Sequence, residues 1–350
     1  MINKINKEHI FQAIALIFYL VFGVGVLSGQ QRPENFWSNP DGLLQTQATI
    51  LFEQAHLVLD KYPPLPHPNE ERKLALFSLD ALLHDVRLDN TKTFIDYVEK
   101  RIEHVVTKLK NENPKTNEVL IYKLYNHGYI VRTSSVTIGF DIHRGGRGEN
   151  LFVTESLIQS LVNECDILFI THEHGDHADR SVTQMFVNQQ KTVISPPGIF
   201  EGISHNIKYL RGNDILTEKV TIPTKNTTLT VKVFPGHQSN LINNVYAVTT
   251  PEGITVMHTG DQYNGDDMQW ITQVKNTENI DILLVHCWMP DLDRAIEGIS
   301  PKIIIVGHEN EMMHSIDHRE AFWLTLRRFS NIKIPYLVMA WGESYVYNPI

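Results

Sequence analysis

The stretch FITHEHGDHADR, residues 169–180, sets three histidines and three acidic residues in twelve positions directly behind an aliphatic run. DILFI reads as a buried strand, so the chain ends a strand in His172, His174, Asp176 and His177. If the backbone continues extended, alternation points His172, His174 and Asp176 the same way, with His177 turning in beside them and Gly175 easing the bend. Imidazole and carboxylate suit Zn²⁺, with bonds of about 2.0–2.2 Å. Four such ligands from one short segment crowd a single ion. Two ions about 3.5–4 Å apart use them better.

The downstream sequence offers further ligands in the same setting. VKVFPGHQSN ends a β run at His237, GITVMHTGDQ another near Asp261, and KIIIVGHENE a third at His308. Each polar residue follows an aliphatic strand and a glycine, which places it in a strand-end loop, a common position for functional groups on a rigid sheet. Any one alone reads as a loop residue. After HEHGDH they read as a ligand set.

The rest of the chain frames this set. Its 350 residues suffice for one large domain plus a small one, or two. The formal charge of −9 comes from 31 basic and 40 acidic residues with no basic stripe, so nucleic acid is not an expected partner. MINKINKEH precedes 18 largely apolar residues, IFQAIALIFYLVFGVGVL, and then SGQQRPEN. That order, basic then apolar then small, is that of a secretory signal, and the run is nearly long enough to span a bilayer. Residues 1–29 are therefore expected to be a signal peptide or membrane anchor, with the remainder exported to the periplasm or cell envelope. Cys165 and Cys287 each abut a buried strand and read as core thiols rather than a disulfide.

Residues 30–115 read as a helical region. Asn39 is a cap candidate with Pro40 at the first helical position, KYPPLPHPN breaks the chain, and Phe94, Val98, Ile102, Val105 and Leu109 share a face of a later helix. Three roles are open to this region: a lid, a homo-oligomer contact, or a membrane-proximal arm. His56, His67, His84 and His104 read as surface or packing residues. From 116 to 350 short β-rich runs dominate, first in hairpins and then alternating with helices, roughly twice over. That order suggests two packed sheets with helices outside.

H-x-H-x-D-H at 172–177, followed by His237, Asp261 within TGD and His308, resembles the metallo-β-lactamase fold superfamily over about residues 117–350. Within it, NVYAVTTPEGITVMHTGD is most similar to the branch containing ascorbate-6-phosphate lactonase and N-acyl-phosphatidylethanolamine phospholipase D. The resemblance implies an α/β fold, an αββα sandwich with a dinuclear site in the cleft between the sheets. It implies two Zn²⁺ per chain: His172, His174 and His237 on one, Asp176, His177 and His308 on the other, and Asp261 bridging. Asp176 and Asp261 are the implied catalytic residues, with a hydroxide between the metals as nucleophile. The implied reaction is hydrolysis of an ester, lactone or phosphodiester in a small-molecule or lipid substrate.

Departures from the pattern narrow this. Many β-lactamases of the fold carry Cys where this chain has Asp261, which argues against antibiotic hydrolysis. FDIHRGGRGEN replaces a shorter turn. In it Asp141 is expected to support a ligand histidine, and Arg144 and Arg147 read as a solvated loop in preference to an anion contact. His258 is expected behind the ligands and His286 along the cleft. His314 and His318 either shape the pocket and donate a proton or belong to an ordinary helix start, and Glu309 and Glu311 are undecided. A mononuclear iron dioxygenase and a non-catalytic metal-binding protein are the competing readings of the same fold.

Overall fold

The computed structural model describes residues 39–349, and the targeting segment expected at 1–29 lies outside them. Among the described residues no helix is long and apolar enough to cross a membrane. Helix α1 (Pro40–Lys61) opens the described chain, and from Ala48 onward the chain forms one compact unit, which carries everything that follows. Asn39 caps α1 as expected, accepting from the Gly42 amide at 2.9 Å.

Helices α2 (Glu70–Leu83) and α3 (Lys92–Asn111) follow, capped by the side chains of Asn69 and Thr91. The face of α3 bearing Phe94, Val98, Ile102, Val105 and Leu109 is fully buried, so the i, i+4 spacing located its inner side. Both helices are bound to the β-rich part by buried polar contacts, α3 through Arg101, which donates to the Trp341 carbonyl at 2.7 Å. Arg72 of α2 donates to both carboxylate oxygens of Glu343, at 2.7 and 2.5 Å, and to the carbonyl of Val338. Asp80 accepts from Asn310 and from the amides of Phe322 and Trp323.

Fourteen strands build two seven-stranded sheets. The first takes β1 (Val119–Lys123), β2 (Tyr129–Arg132), β3 (Thr137–Phe140), β4 (Ile167–Phe169), β5 (Thr192–Ser195) and β6 (Ile207–Tyr209). The second takes β7 (Leu216–Ile222), β8 (Thr227–Phe234), β9 (Val245–Thr249), β10 (Thr255–His258), β11 (Ile282–His286), β12 (Ile303–Gly307) and β13 (Tyr336–Val338), after which β14 (Ser344–Tyr347) returns to pair with β1. Each sheet has an antiparallel half of hairpins and a parallel half of crossovers. The parallel pairs are β3–β4–β5–β6 in one and β10–β11–β12–β13 in the other. The pattern read twice from the sequence is this pair of half-sheets.

Helices fill the crossovers: α4 (Glu155–Glu164), α5 (Arg180–Asn188), the one-turn α6 (Met268–Ile271) and α7 (Val274–Thr277), α8 (Leu292–Ile299) and α9 (Phe322–Arg328). The core between the sheets is made by strand and strand-flanking side chains, among them Ile121, Val131, Phe169, Tyr246, Leu284 and Ile305, and among the described residues no helical side chain enters it. The helices therefore lie outside, in the αββα order expected. Leu283 and Val285 are as buried as Leu284, so β11 is covered on both faces, which is why it reads as an unbroken aliphatic run. DDMQWITQVKN, read as one helix, is two one-turn helices. β6, β7, β13 and β14 are additions to the strands the sequence suggested. Cys165 and Cys287 are buried free thiols.

Candidate metal centre

The parallel half-sheets aim their strand ends at one place. In the first sheet β3 leads to Asp141 and β4 to the HEHGDH segment. In the second, β10 leads to Asp261, β11 ends at His286, and β12 leads to His308. The β1–β2 turn adds Asn126 and His127.

HEHGDH is not extended. The amides of His177 and Ala178 both donate to the His174 carbonyl, at 2.9 and 2.8 Å, so a helical turn gathers the side chains rather than strand alternation. Gly175 does not occupy the left-handed region, and a Cβ there would meet nothing within 4 Å, so the bend does not need its glycine. Gly260 does: its φ is +52°, and a Cβ would fall 2.2 Å from Asn243 Oδ1, the atom that accepts from the Asp261 amide at 3.0 Å. His308 has φ +73°, a conformation unfavourable for a side chain with a Cβ and held here by its loop.

Asp261 stands at the centre. Its Oδ1 lies 3.2 Å from His177 Nε2, 3.7 Å from His286 Nε2 and 3.9 Å from His127 Nδ1. Its Oδ2 lies 3.3 Å from His308 Nε2 and 3.7 Å from His172 Nε2, and accepts from Gln238 Nε2 at 3.0 Å. Asp176 Oδ2 is 3.2 Å from His308 Nε2 and 3.6 Å from His177 Nε2. Two groups converge closely enough to share an ion: Asp176, His177, Asp261 and His308, and His172, His174 and Asp261. The ligand atoms within each group lie within 4.8 Å of one another. All are buried except His174, which is exposed at the cleft.

Of the seven sequence-derived ligands, only His237 stands apart from these groups. Its Nδ1 donates to Asp267, 3.1 Å from both carboxylate oxygens, and its Nε2 accepts from Arg211 at 3.0 Å. Arg211 is itself pinned by the Gly236 carbonyl and Asn244. Conversely, His127 was not singled out from the sequence, and His286 was read only as a cleft residue. Both end or adjoin strands, as the residues expected to be ligands do, and that position was their only signal.

The donor set fits a metal ion. His172 Nε2, His177 Nε2, both ring nitrogens of His127, His286 and His308, and Asp261 Oδ1 are buried with no hydrogen-bond partner among the described residues. Buried polar atoms of native proteins are normally paired, and imidazole with carboxylate is the chemistry of Zn²⁺ and of other first-row transition metals. Electrostatics agree. Burial pushes His172 and His286 down to about 3, the neutral ligand form. Burial also opposes charge on His177 and His308, but Asp261 and Asp176, joined at His177 by Asp141, outweigh it: His177 is held well above its usual range and His308 is pushed up to about 10. Despite burial, His177 and His308 hold Asp176 and Asp261 well below the carboxylate range.

A second layer fixes these side chains. Asp141 accepts from His177 Nδ1 at 2.8 Å, from Thr171 Oγ1 at 2.7 Å and from the Thr171 amide at 2.8 Å, leaving His177 Nε2 aimed at Asp261. His258 donates from Nε2 to the His127 carbonyl and accepts at Nδ1 from the Gly260 amide, so it braces the Asp261 loop. Glu309 is a structural partner of Lys123, 2.6 Å away with both fully buried. Glu311 accepts from Tyr125 and the Met313 amide; burial, with Asp176 nearby, raises it to about 7. Arg144 and Arg147 donate to the carbonyls of Val153 and Met313, as a loop brace. His314 stacks on Trp288 and lies 5.3 Å, ring to ring, from His308, whereas His318 is mostly exposed at the end of a 3₁₀ turn. The centre opens through His174 and His286 into a cleft of about 800 Å³ walled by Leu241, Tyr263 and Trp288.

Known structures resemble this architecture. Igni18, a metallo hydrolase from the archaeon Ignicoccus hospitalis, matches with a TM-score of 0.52 at 16% identity, over 67% of this chain and 100% of its own. An isothiocyanate hydrolase from Delia radicum gut bacteria matches with a TM-score of 0.48 at 14% identity, over 65% of this chain and 99% of its own. CmlA, a diiron β-hydroxylase from Streptomyces venezuelae, matches with a TM-score of 0.47 at 14% identity, over 68% of this chain and 55% of its own. No protein-family model and no curated protein matches the sequence. With two half-parallel sheets face to face, helices outside and a His/Asp cluster at the strand ends, the chain has the metallo-β-lactamase fold.

Proposed function

We propose that the protein is a metal-dependent hydrolase, with two zinc ions at the Asp261 centre, acting on an ester, lactone or phosphodiester. The observation that carries this reading is the cluster of buried, unpartnered imidazole and carboxylate atoms around Asp261, at the floor of a cleft large enough for a small molecule. The hydrolase activity named for Igni18 is chemistry that this donor set supports.

Asp176, His177 and His308 would hold one ion, and His172 and His174 the other, with Asp261 between them. When bound, such ions supply Lewis acidity towards a carbonyl or phosphoryl oxygen and a water acidic enough to attack near neutral pH. The chain's own residues do the rest. Asp141 fixes the His177 tautomer, and Asn243 and His258 fix the Asp261 loop, so neither ligand must reorganise during reaction. Leu241, Tyr263 and Trp288 give an apolar group of the substrate a wall to pack on while its polar centre faces His174. His314 stacks behind Trp288 and beside His308, so it would hold that wall in place.

Elemental analysis of the purified full chain should return about two transition-metal ions. Turnover of at least one member of a panel of phosphodiesters, lactones and acyl esters should disappear on chelation and return with Zn²⁺. Full activity in a metal-free preparation sinks the reading.

A further inference from the structure

The histidine that ends β11 and the histidine that follows β8 have exchanged the roles their motifs suggest. His237 sits where a ligand was expected, yet both its ring nitrogens are engaged. Nδ1 serves Asp267, and Nε2 receives a guanidinium N–H from Arg211, a fixed positive charge where a cation would have to be. His286 is the reverse. It is 2% exposed, and neither ring nitrogen has a partner among the described residues. Its Nε2 points at Asp261 Oδ1 across 3.7 Å, and its ring lies 4.8 Å from that of His308.

The strand order explains the placement. β11 lies between β10 and β12, parallel to both, with His286 opposite Gly307 and Leu284 opposite His258. The middle strand therefore ends between the loop that carries Asp261 and the loop that carries His308. The His286 amide donates to Thr259 Oγ1 at 3.0 Å, which fixes its backbone beside the Asp261 loop. Ligand atoms about 2.1 Å from one tetrahedral ion stand about 3.4 Å apart. His286, like His237, is outside the two groups whose ligand atoms lie within 4.8 Å of one another, but the separations from Asp261 Oδ1 to His177 Nε2 and His286 Nε2, 3.2 and 3.7 Å, straddle the tetrahedral value.

We infer that His286 is the fifth imidazole of the metal centre, in place of His237, and that Arg211 and Asp267 keep His237 as a fixed wall outside it. The inference rests on the metal reading above and is read by metal binding alone. His286→Gln and His237→Gln are made in the full chain, stripped with a chelator and reloaded with Zn²⁺ or Co²⁺. Affinity is taken from competition with a chromophoric chelator, stoichiometry from elemental analysis, and ligand change from the visible bands of the Co²⁺ form.

His286→Gln should weaken one site by more than about 100-fold, beyond the 10–100-fold typical of outer-layer changes, and alter the Co²⁺ bands. His237→Gln should bind two ions with unchanged affinity and spectrum. Unchanged binding in His286→Gln overturns the inference. So does metal loss in His237→Gln, including loss in both variants. His237 is partly exposed, its side chain at 33%. Its variant keeps the fold and remains decisive if His286→Gln does not. A wild-type chain that takes up no transition metal fails the functional reading itself, a separable outcome.

Discussion

Arg72 is 1% exposed and His286 2%, yet the protein treats these two buried polar side chains in opposite ways. Where α2 and α3 meet the sandwich, each buried charged side chain has at least one partner, though Arg72 Nε and Arg101 Nη2 stay unbonded among the described residues. Arg72 is bidentate on Glu343, Arg319 is bidentate on Asp89, Arg101 donates to the Trp341 carbonyl, and Asp80 accepts three hydrogen bonds. Around Asp261 most imidazole nitrogens have nothing to bond to. Burying an unpaired polar group costs stability. The seam bears little of that cost and is architecture; the centre bears much more of it, which suits a binding site. The contrast separates function from framework more sharply than burial or charge does.

The largest test of the contrast removes its centre. Asp261→Ala should lower hydrolysis by at least about a thousandfold, since lost metal assistance is worth several kcal/mol and each 1.4 kcal/mol is tenfold. Circular dichroism should find the fold intact. Equal activity in this variant would make the cluster incidental. Arg72→Ala attacks the seam instead. It strands Glu343 in the interior and should cost about 3–5 kcal/mol in urea unfolding, with metal content per folded molecule unchanged. A loss of metal without a loss of stability would erase the distinction between the two regions.

Titration sharpens the comparison. His177 and His308 are raised, so in the metal-free protein both are protonated near neutral pH and must release those protons to ligate. Metal affinity should therefore fall with falling pH, by up to about 100-fold per unit if both protons leave, and the dependence on His308 should end above its value of about 10. The sign for metal-free stability is opposite. A raised imidazole stabilises the fold fully below its unfolded value, and that contribution is lost as pH rises through the folded one. The apo-protein should thus be more stable to urea at pH 6 than at pH 10. Calorimetric proton release in two buffers and apo unfolding curves check the two halves.

Asp141→Asn should weaken metal binding about 10–100-fold through the tautomer of His177, leaving the other ligands in place. The smallest effect belongs to Gly175→Ala, expected within about 0.5 kcal/mol of wild type with full metal content. Gly260→Ala, at positive φ against Asn243, should be clearly worse in both respects. If the two glycines behave alike, the helical-turn account of HEHGDH is wrong.

Much of this was legible along the chain, and what was missed has physical reasons. HEHGDH, Asp261 and His308 are visible because each follows an aliphatic run that can only be a buried strand. The gathering mechanism was misjudged, since a helical turn and an extended strand both bring neighbouring side chains together and the motif does not say which. β7 was overlooked although Leu216, Val220 and Ile222 alternate with polar residues up to the Pro223–Asn226 turn, a hairpin signal lost beside the stronger strand β8. β14 carried no usable signal, because its pairing with β1 joins residues more than two hundred positions apart.

The sequence by itself determined the two repeated half-sheets, the inner face of α3 and the chemistry of the donor set, since periodicity and ligand type are local properties. Only the tertiary structure told two of the histidines apart. His237 and His286 look alike in sequence, each at the end of a β run. Arg211 and Asp267 saturate one, while β10 and β12 carry Asp261 and His308 to the other. A side chain's hydrogen-bond partners come from distant segments, so whether it is paired or free is fixed only when the strands are laid side by side.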